Sequence, residues 1–100
     1  MLTYEVRVQA DPQIAARFAE HMRAEHIPGI LATGCFAAVH FEHLAPGVYR
    51  TRYVADTQVD LDRYLNDHAP QWRADLAARF PSGITLSRDV WHHVESWTRN

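Results

Sequence analysis

Hydrophobic periodicity along this chain changes in an order that leaves few folds open. Leu2, Tyr4, Val6 and Val8 alternate with Thr3, Glu5, Arg7 and Gln9, the period of two that marks a half-buried strand. Ile14, Ala15, Phe18, Ala19 and Met22 then recur at helical spacing, with Arg17, Glu20 and Arg23 opposite them. Asp11 offers a capping oxygen and Pro12 suits a first helical position, so a helix is expected to start there. Pro28 and Gly29 are expected to stop it.

The period of two returns in FAAVHFEH, Phe36 to His43, and in VYRTRYVA, Val48 to Ala55, with Ala45-Pro46-Gly47 as the turn between them. Thr57 and Asp60 form a capping pair ahead of a second amphipathic stretch, in which Leu61, Leu65, His68, Ala69, Trp72, Leu76 and Phe80 share a face. Pro70 removes an amide donor inside that stretch, which is expected to kink or to divide into two helices meeting at Ala69-Pro70. After Pro81-Ser82-Gly83, Ile84 to about Trp97 reads as a last strand, long enough that a bulge is expected in it. The order β-α-β-β-α-β is that of an α+β, ferredoxin-like βαββαβ domain. It places an antiparallel four-stranded sheet under helices on one face and takes residues 1–100 as a single unit. If Tyr49 and Tyr53 face the helices, then Glu5, Arg7, His40, Glu42, Arg50 and Arg52 share the uncovered face. There, acids and bases can pair across strands or lie against a second copy.

A chain of 100 residues, 47% of them hydrophobic, supports one core. Its first residues carry Glu5 and Arg7 among alternating apolar positions, unlike a signal peptide, and no run approaches the roughly 18 apolar residues of a membrane span. A cytoplasmic protein without a membrane partner is expected. The net charge of −2 and the lack of a basic cluster deny nucleic acid its electrostatic footprint. All ten basic residues are arginine, which in so Ala- and Arg-rich a chain reads as genome composition rather than anion recognition. The lone Cys35 excludes an internal disulfide or a multi-cysteine metal site and reads as a small buried hydrophobe.

The seven histidines carry the chemistry most open to test. Local metal pairs lie about four residues apart on a helix or two on a strand. His21 and His26 are five apart, His40 and His43 three, and His92 and His93 adjacent, so each pair is expected to diverge; neither metal nor cofactor is expected. His26 and His68 stand at the edges of the two helical stripes. As functional groups they are the candidate catalytic imidazoles; as structural groups they close helix ends by bonding the last carbonyls. Tyr64, Trp72 and Arg73 are read as structural, Trp72 as core.

HIPGILATGCF, His26 to Phe36, and DRYLNDHAPQWRADLAARF, Asp62 to Phe80, together resemble a family of short bacterial proteins known as domain of unknown function 4286. The matching pieces are His26-Ile27-Pro28, Leu31-Ala32-Thr33-Gly34 with Phe36, and Tyr64-Leu65 followed by His68-Ala69-Pro70 and Arg73. That family is similar to the dimeric α+β barrels, in which two sheets face each other with the helices outside. The resemblance implies a homodimer with a cavity and names no reaction. Related barrels include monooxygenases, isomerases, polyketide cyclases and haem-handling proteins, a link by fold alone. Two functions follow as expectations. The first is a small enzyme or ligand-binding dimer whose cavity beside the sheet is lined by His26, His68, Arg7, His40, Arg52 and Tyr53, the last four as ligand-binding residues. The alternative is a non-catalytic dimerisation or interaction module.

Overall fold

The computed structural model describes residues 1–100. Four strands, β1 (Leu2–Ala10), β2 (Ala38–Ala45), β3 (Val48–Ala55) and β4 (Ile84–His92), form one antiparallel sheet in the order β2-β3-β1-β4. This is the ferredoxin-like arrangement, because the first and last strands pair side by side while the hairpin β2–β3 docks on the other edge of β1. The register is fixed by the alternation in β1. Tyr4 opposes Tyr53 on one side and Val90 on the other, so a slip of one residue would carry the apolar row to the opposite face.

Helices lie on the face that carries Tyr4, Val8, Thr51 and Tyr53. They are α1 (Ala15–His21), α2 (Ile27–Leu31), α3 (Gln58–Asp67) and α4 (Ala69–Arg79). The core has two parts. One gathers Leu2, Tyr4, Ile30, Phe36, Tyr53, Leu61 and Tyr64, and the other Val8, Phe18, Met22, Leu76 and Phe80, with the half-buried Val6 packed against both.

The first helical region departs from expectation at both ends. It starts three residues after Pro12, because the Asp11 carbonyl, rather than its carboxylate, accepts from the Ile14 and Ala15 amides and winds an entry turn. It does not stop at Pro28-Gly29. Met22–His26 forms a π-helical turn between α1 and α2, in which the Ile27 amide donates to the Met22 carbonyl five residues back. Pro28 has no amide to give and its ring crowds the preceding turn; a widened turn accommodates both effects, and the helix resumes to Leu31. Termination falls to Thr33 and Gly34. The Thr33 hydroxyl donates to the Ile30 carbonyl at 2.6 Å, and Gly34 takes a left-handed φ of 77°.

The second helical region behaves as the sequence indicates. The Asp60 amide donates to Thr57 Oγ1 at 3.1 Å, capping α3, and the chain breaks at His68 with Pro70 in the first turn of α4. Tyr64 joins the buried stripe there, and Phe36, expected to open the second strand, lies in the core ahead of β2. The expected bulge is absent from β4, whose pairing with β1 runs without a shift and ends at His92. The irregularity sits instead in β2, between His43 and Ala45, next to the hairpin turn.

Gly29 lies under Trp72. A β-carbon at residue 29 would stand 2.1 Å from Trp72 Cη2, deep inside contact distance. Gly29→Ala is therefore expected to destabilise the fold by about 1–3 kcal/mol, the usual range for overpacking. Trp72→Leu should recover part of that loss in the double variant, and chemical denaturation of the four proteins in the cycle measures it.

Candidate functional site

On the helix-facing side of the sheet, a narrow slot opens between β1, β4 and the helices. Its polar lining is Tyr4, His26, Tyr53, Tyr64, Arg73 and Arg88, with Trp72 and Met22 among the apolar walls. The alternation of β1 places Tyr4 there and the pairing of Val6 with Arg88 brings in β4, while α4 delivers Trp72 and Arg73. An Arg73 guanidinium nitrogen donates to the Tyr4 hydroxyl at 3.0 Å. The Tyr4 ring lies 5.9 Å from that of Tyr53 and 6.0 Å from that of Tyr64, and the His26 ring meets Trp72 edge-on at 5.4 Å. The enclosed space is about 30 Å³, the volume of one water molecule.

Burial sets the protonation states inside. His26 is pushed down to about 4, chiefly by desolvation and secondarily by His21, with Asp75 opposing. It is a neutral imidazole at pH 7. Burial raises the Tyr64 phenol well above its ordinary value, with Tyr4 adding to the shift and Arg73 and Arg88 opposing it, so it remains an O–H donor. Burial raises Tyr53 in the same direction. The slot thus offers fixed cations at its mouth, phenolic donors inside and one uncharged imidazole. Those groups can orient an anion and exchange a proton with it. Arg73 and Arg88 are both exposed and, unlike Arg23, Arg50, Arg52, Arg63 and Arg79, belong to no ion pair.

The residues expected to line one cavity are divided by the sheet. His26 and Tyr53 line the slot, whereas Arg7, His40 and Arg52 project from the opposite, uncovered face, where the register pairs Arg7 with Arg50 and His40 with Arg52. Strand alternation makes this unavoidable, since Tyr53 and Arg52 are neighbours in sequence. His68 does not join His26 in the slot. It sits half-buried at the break between α3 and α4, its ring stacked 6.4 Å from that of Tyr64. On the uncovered face Glu42 is the hub: Arg50 Nε and Arg52 Nε donate to it at 2.8 and 2.9 Å, and Arg50 also reaches Glu5 at 3.7 Å.

The expectation that each histidine pair diverges fails for one pair. The π turn stacks residues five apart, so the His21 and His26 rings lie 5.8 Å apart, both buried. With Asp75 of α4 they form a group whose ligand atoms all lie within 4.8 Å of one another. Spacing rules for a regular α-helix could not find it; Pro28 inside an otherwise continuous helical pattern was the available signal. Arg88 was legible from its parity with Leu86 and Val90, and Tyr4 from its place in the apolar row of β1. Cys35 is buried and unpaired, as expected.

Fold and site together define a ferredoxin-like α+β domain with a polar slot on the covered side of its sheet. The chain belongs to the family described as domain of unknown function (DUF4286), whose model matches residues 1–94. No curated protein matches it. Among solved structures it is similar to a Deinococcus radiodurans protein provisionally described as an antibiotic biosynthesis monooxygenase, at 15% identity and a TM-score of 0.72, covering 100% of this chain and 99% of the other. It is also similar to Rv0793 of Mycobacterium tuberculosis, at 13% identity and 0.69, covering 97% and 98%, and to the NE2512 protein of Nitrosomonas europaea, at 18% and 0.65, covering 98% and 95%. At these identities the likeness shows the fold. No helix is long and apolar enough to cross a membrane.

The hub on the uncovered face yields a pH prediction. Hydrogen bonds from Arg52 and then Arg50 hold the Glu42 carboxyl down to about 2, from an ordinary 4.5. The folded value lies below the unfolded one, so this pairing contributes its full stabilisation above pH 4.5 and loses it as pH falls toward 2. Carbon-13 NMR titration should show the depressed midpoint in the native protein, moving toward the ordinary value in Arg52→Ala and in high salt.

Proposed function

We propose that the protein is a homodimer that binds a small organic molecule bearing an anionic group, held at the mouth of the slot between sheet and helices. The observation that carries this reading is the convergence of Arg73 and Arg88, free of carboxylate partners, on a slot that also holds Tyr4, Tyr64 and a neutral His26. Two guanidiniums aimed at one mouth repel one another unless an anion or water intervenes, and a carboxylate satisfies both by hydrogen bonding. Enclosed space alone does not hold such a molecule. The helices leave β4 open, however, with Leu86, Arg88, Val90 and His92 all exposed on the slot's side of the sheet, so a ligand can lie along that strand with its charged end at the arginines. Within the slot His26 is the candidate proton acceptor. The description of the Deinococcus neighbour as an antibiotic biosynthesis monooxygenase is in keeping with a small organic ligand in this fold.

The dimer is supported by apolar exposure concentrated at the end of the chain. Leu86, Val90, Trp91, Val94 and Trp97 are 37%, 40%, 61%, 94% and 80% exposed, a density of large hydrophobics that water disfavours and a second copy would cover. Trp91 belongs to the uncovered face, where its indole nitrogen reaches Glu5 at 3.4 Å, so an interface built on that face takes in Trp91, whereas Leu86 and Val90 stand on the slot's side of the same edge strand. The neutralised pairs around Glu42 favour one further reading, a dimerisation module in which the two faces meet and no ligand is needed. An unpaired, buried Cys35 fits a reducing cytoplasm.

Calorimetric titration with benzoate as the probe separates the two readings. Binding is expected in the native protein, weakened about tenfold or more in Arg73→Met and in Arg88→Met, since each removes a charged hydrogen bond. Equal affinity in all three proteins, or no binding by a panel of aromatic and aliphatic carboxylates, favours the module without a ligand. Sedimentation equilibrium at micromolar concentration should give twice the monomer mass, shifting toward the monomer in Trp91→Glu; a native protein that sediments only as a monomer contradicts the dimer.

A further inference from the structure

The π turn brings His26, which also lines the slot, together with side chains that the slot does not use. His21 is buried, and its Nδ1 lies 3.0 Å from Glu25 Oε2. A carboxylate at that distance accepts the Nδ1 proton and thereby leaves the lone pair on Nε2. That Nε2 is buried and has no hydrogen-bond partner, and the same is true of His26 Nδ1. Two buried imidazole nitrogens without partners on one helix turn are an expense that folded proteins avoid unless something occupies the space between them. Asp75, half-buried on α4, completes the group, with Oδ2 at 3.6 Å from His21 Nε2.

We propose that His21, His26 and Asp75 form a binding site for a divalent transition-metal ion of the zinc class. Two nitrogens and a carboxylate oxygen suit zinc and its first-row neighbours, whereas magnesium and calcium prefer all-oxygen shells. Ligands bound about 2.0–2.1 Å from a tetrahedral ion stand roughly 3.3 Å apart, close to the His21–Asp75 separation of 3.6 Å. That separation is too long for a hydrogen bond, so a simple His21–Asp75 ion pair accounts for it less well, and such a pair leaves His26 Nδ1 without a partner. All the ligand atoms of the group lie within 4.8 Å of one another.

The surroundings are those of a metal site rather than of a filled core. Glu25 orients His21 from behind, the carboxylate–histidine relation that fixes the tautomer of a ligating imidazole. Arg79 reaches Glu25 at 3.3 Å and Asp75 at 3.4 Å, tethering both carboxylates. A groove of about 560 Å³ on the outside of the helix layer reaches His21, Glu25 and Arg79, giving an ion and its water a way in. Three protein ligands leave one tetrahedral position for that water or for an exchangeable ligand. The two sites share His26, but the carboxylate mouth rests on Arg73 and Arg88 and the metal group on His21 and Asp75, so variants at those four residues let either fail without the other.

The test uses full-length protein stripped with a chelator and then titrated. Zinc should bind with one-to-one stoichiometry and raise the melting temperature, and cobalt(II) should develop the visible absorption of a four-coordinate ion. Asp75→Asn and His21→Gln should each weaken zinc binding at least about tenfold and remove the cobalt absorption, while His68→Gln should match the native protein. Glu25→Gln, a positioning change, should weaken zinc by about tenfold and leave the cobalt absorption in place. Should His21→Gln not fold, Asp75→Asn and the native cobalt spectrum decide the matter. Absence of saturable one-to-one binding by the native protein overturns the proposal, as does zinc affinity that Asp75→Asn leaves unchanged.

Discussion

A proline without an amide lies inside the first helical region, and the structure around it follows from how the backbone copes. Pro28 neither donates to the preceding turn nor tolerates its carbonyls at regular spacing, and the chain widens by one residue instead of breaking. Widening has three consequences. His21 and His26 come to one face; the helix extends far enough to place Ile30 in the core; and Gly29 arrives directly under the Trp72 ring. A regular helix through the same residues would separate the two imidazoles, and a helix stopped at Pro28 would leave Ile30 outside. Helix order and sheet order are generic to the fold, but this turn belongs to the particular sequence.

The sheet acts as a partition. Its covered side carries phenols, a neutral imidazole and two guanidiniums without carboxylate partners, and its uncovered face joins Arg50 and Arg52 through Glu42. Alternation along each strand enforces that sorting residue by residue, Arg52 on one side and Tyr53 on the other. Chemistry requiring a dry, shifted group therefore belongs on the helix side, where burial acts on His26 and Tyr64. The other side is suited to recognition by complementary charge and by the exposed tryptophan of β4.

Most of the fold was legible because it depends on periodicity and turn chemistry, which are local. The apolar row of β1, the Thr57–Asp60 cap and the break before Pro70 could each be read within a window of a few residues. What escaped depended on non-local or irregular geometry. Asp11 carries the sequence of a capping residue but uses its carbonyl; β4 has the length of a bulged strand, but its last residues leave the sheet after His92. The candidate site was legible only in pieces. His26 and Tyr53 line the slot, whereas Arg7, His40 and Arg52 lie across the sheet from it, because strand alternation sends neighbours such as Arg52 and Tyr53 to opposite faces. His21 and Asp75 were missed because the α-helical repeat sets five-residue neighbours apart, and only a π turn brings them together.

The central claim is the register of that turn, and a hydrogen bond reports it directly. Scalar coupling across hydrogen bonds, measured by NMR on isotopically labelled protein, correlates an amide nitrogen with the carbonyl carbon that accepts its proton. The account requires the Ile27 amide to couple to the Met22 carbonyl, five residues back. Coupling of Ile27 to Arg23 instead, four residues back, would mean a regular α-helix and would contradict it.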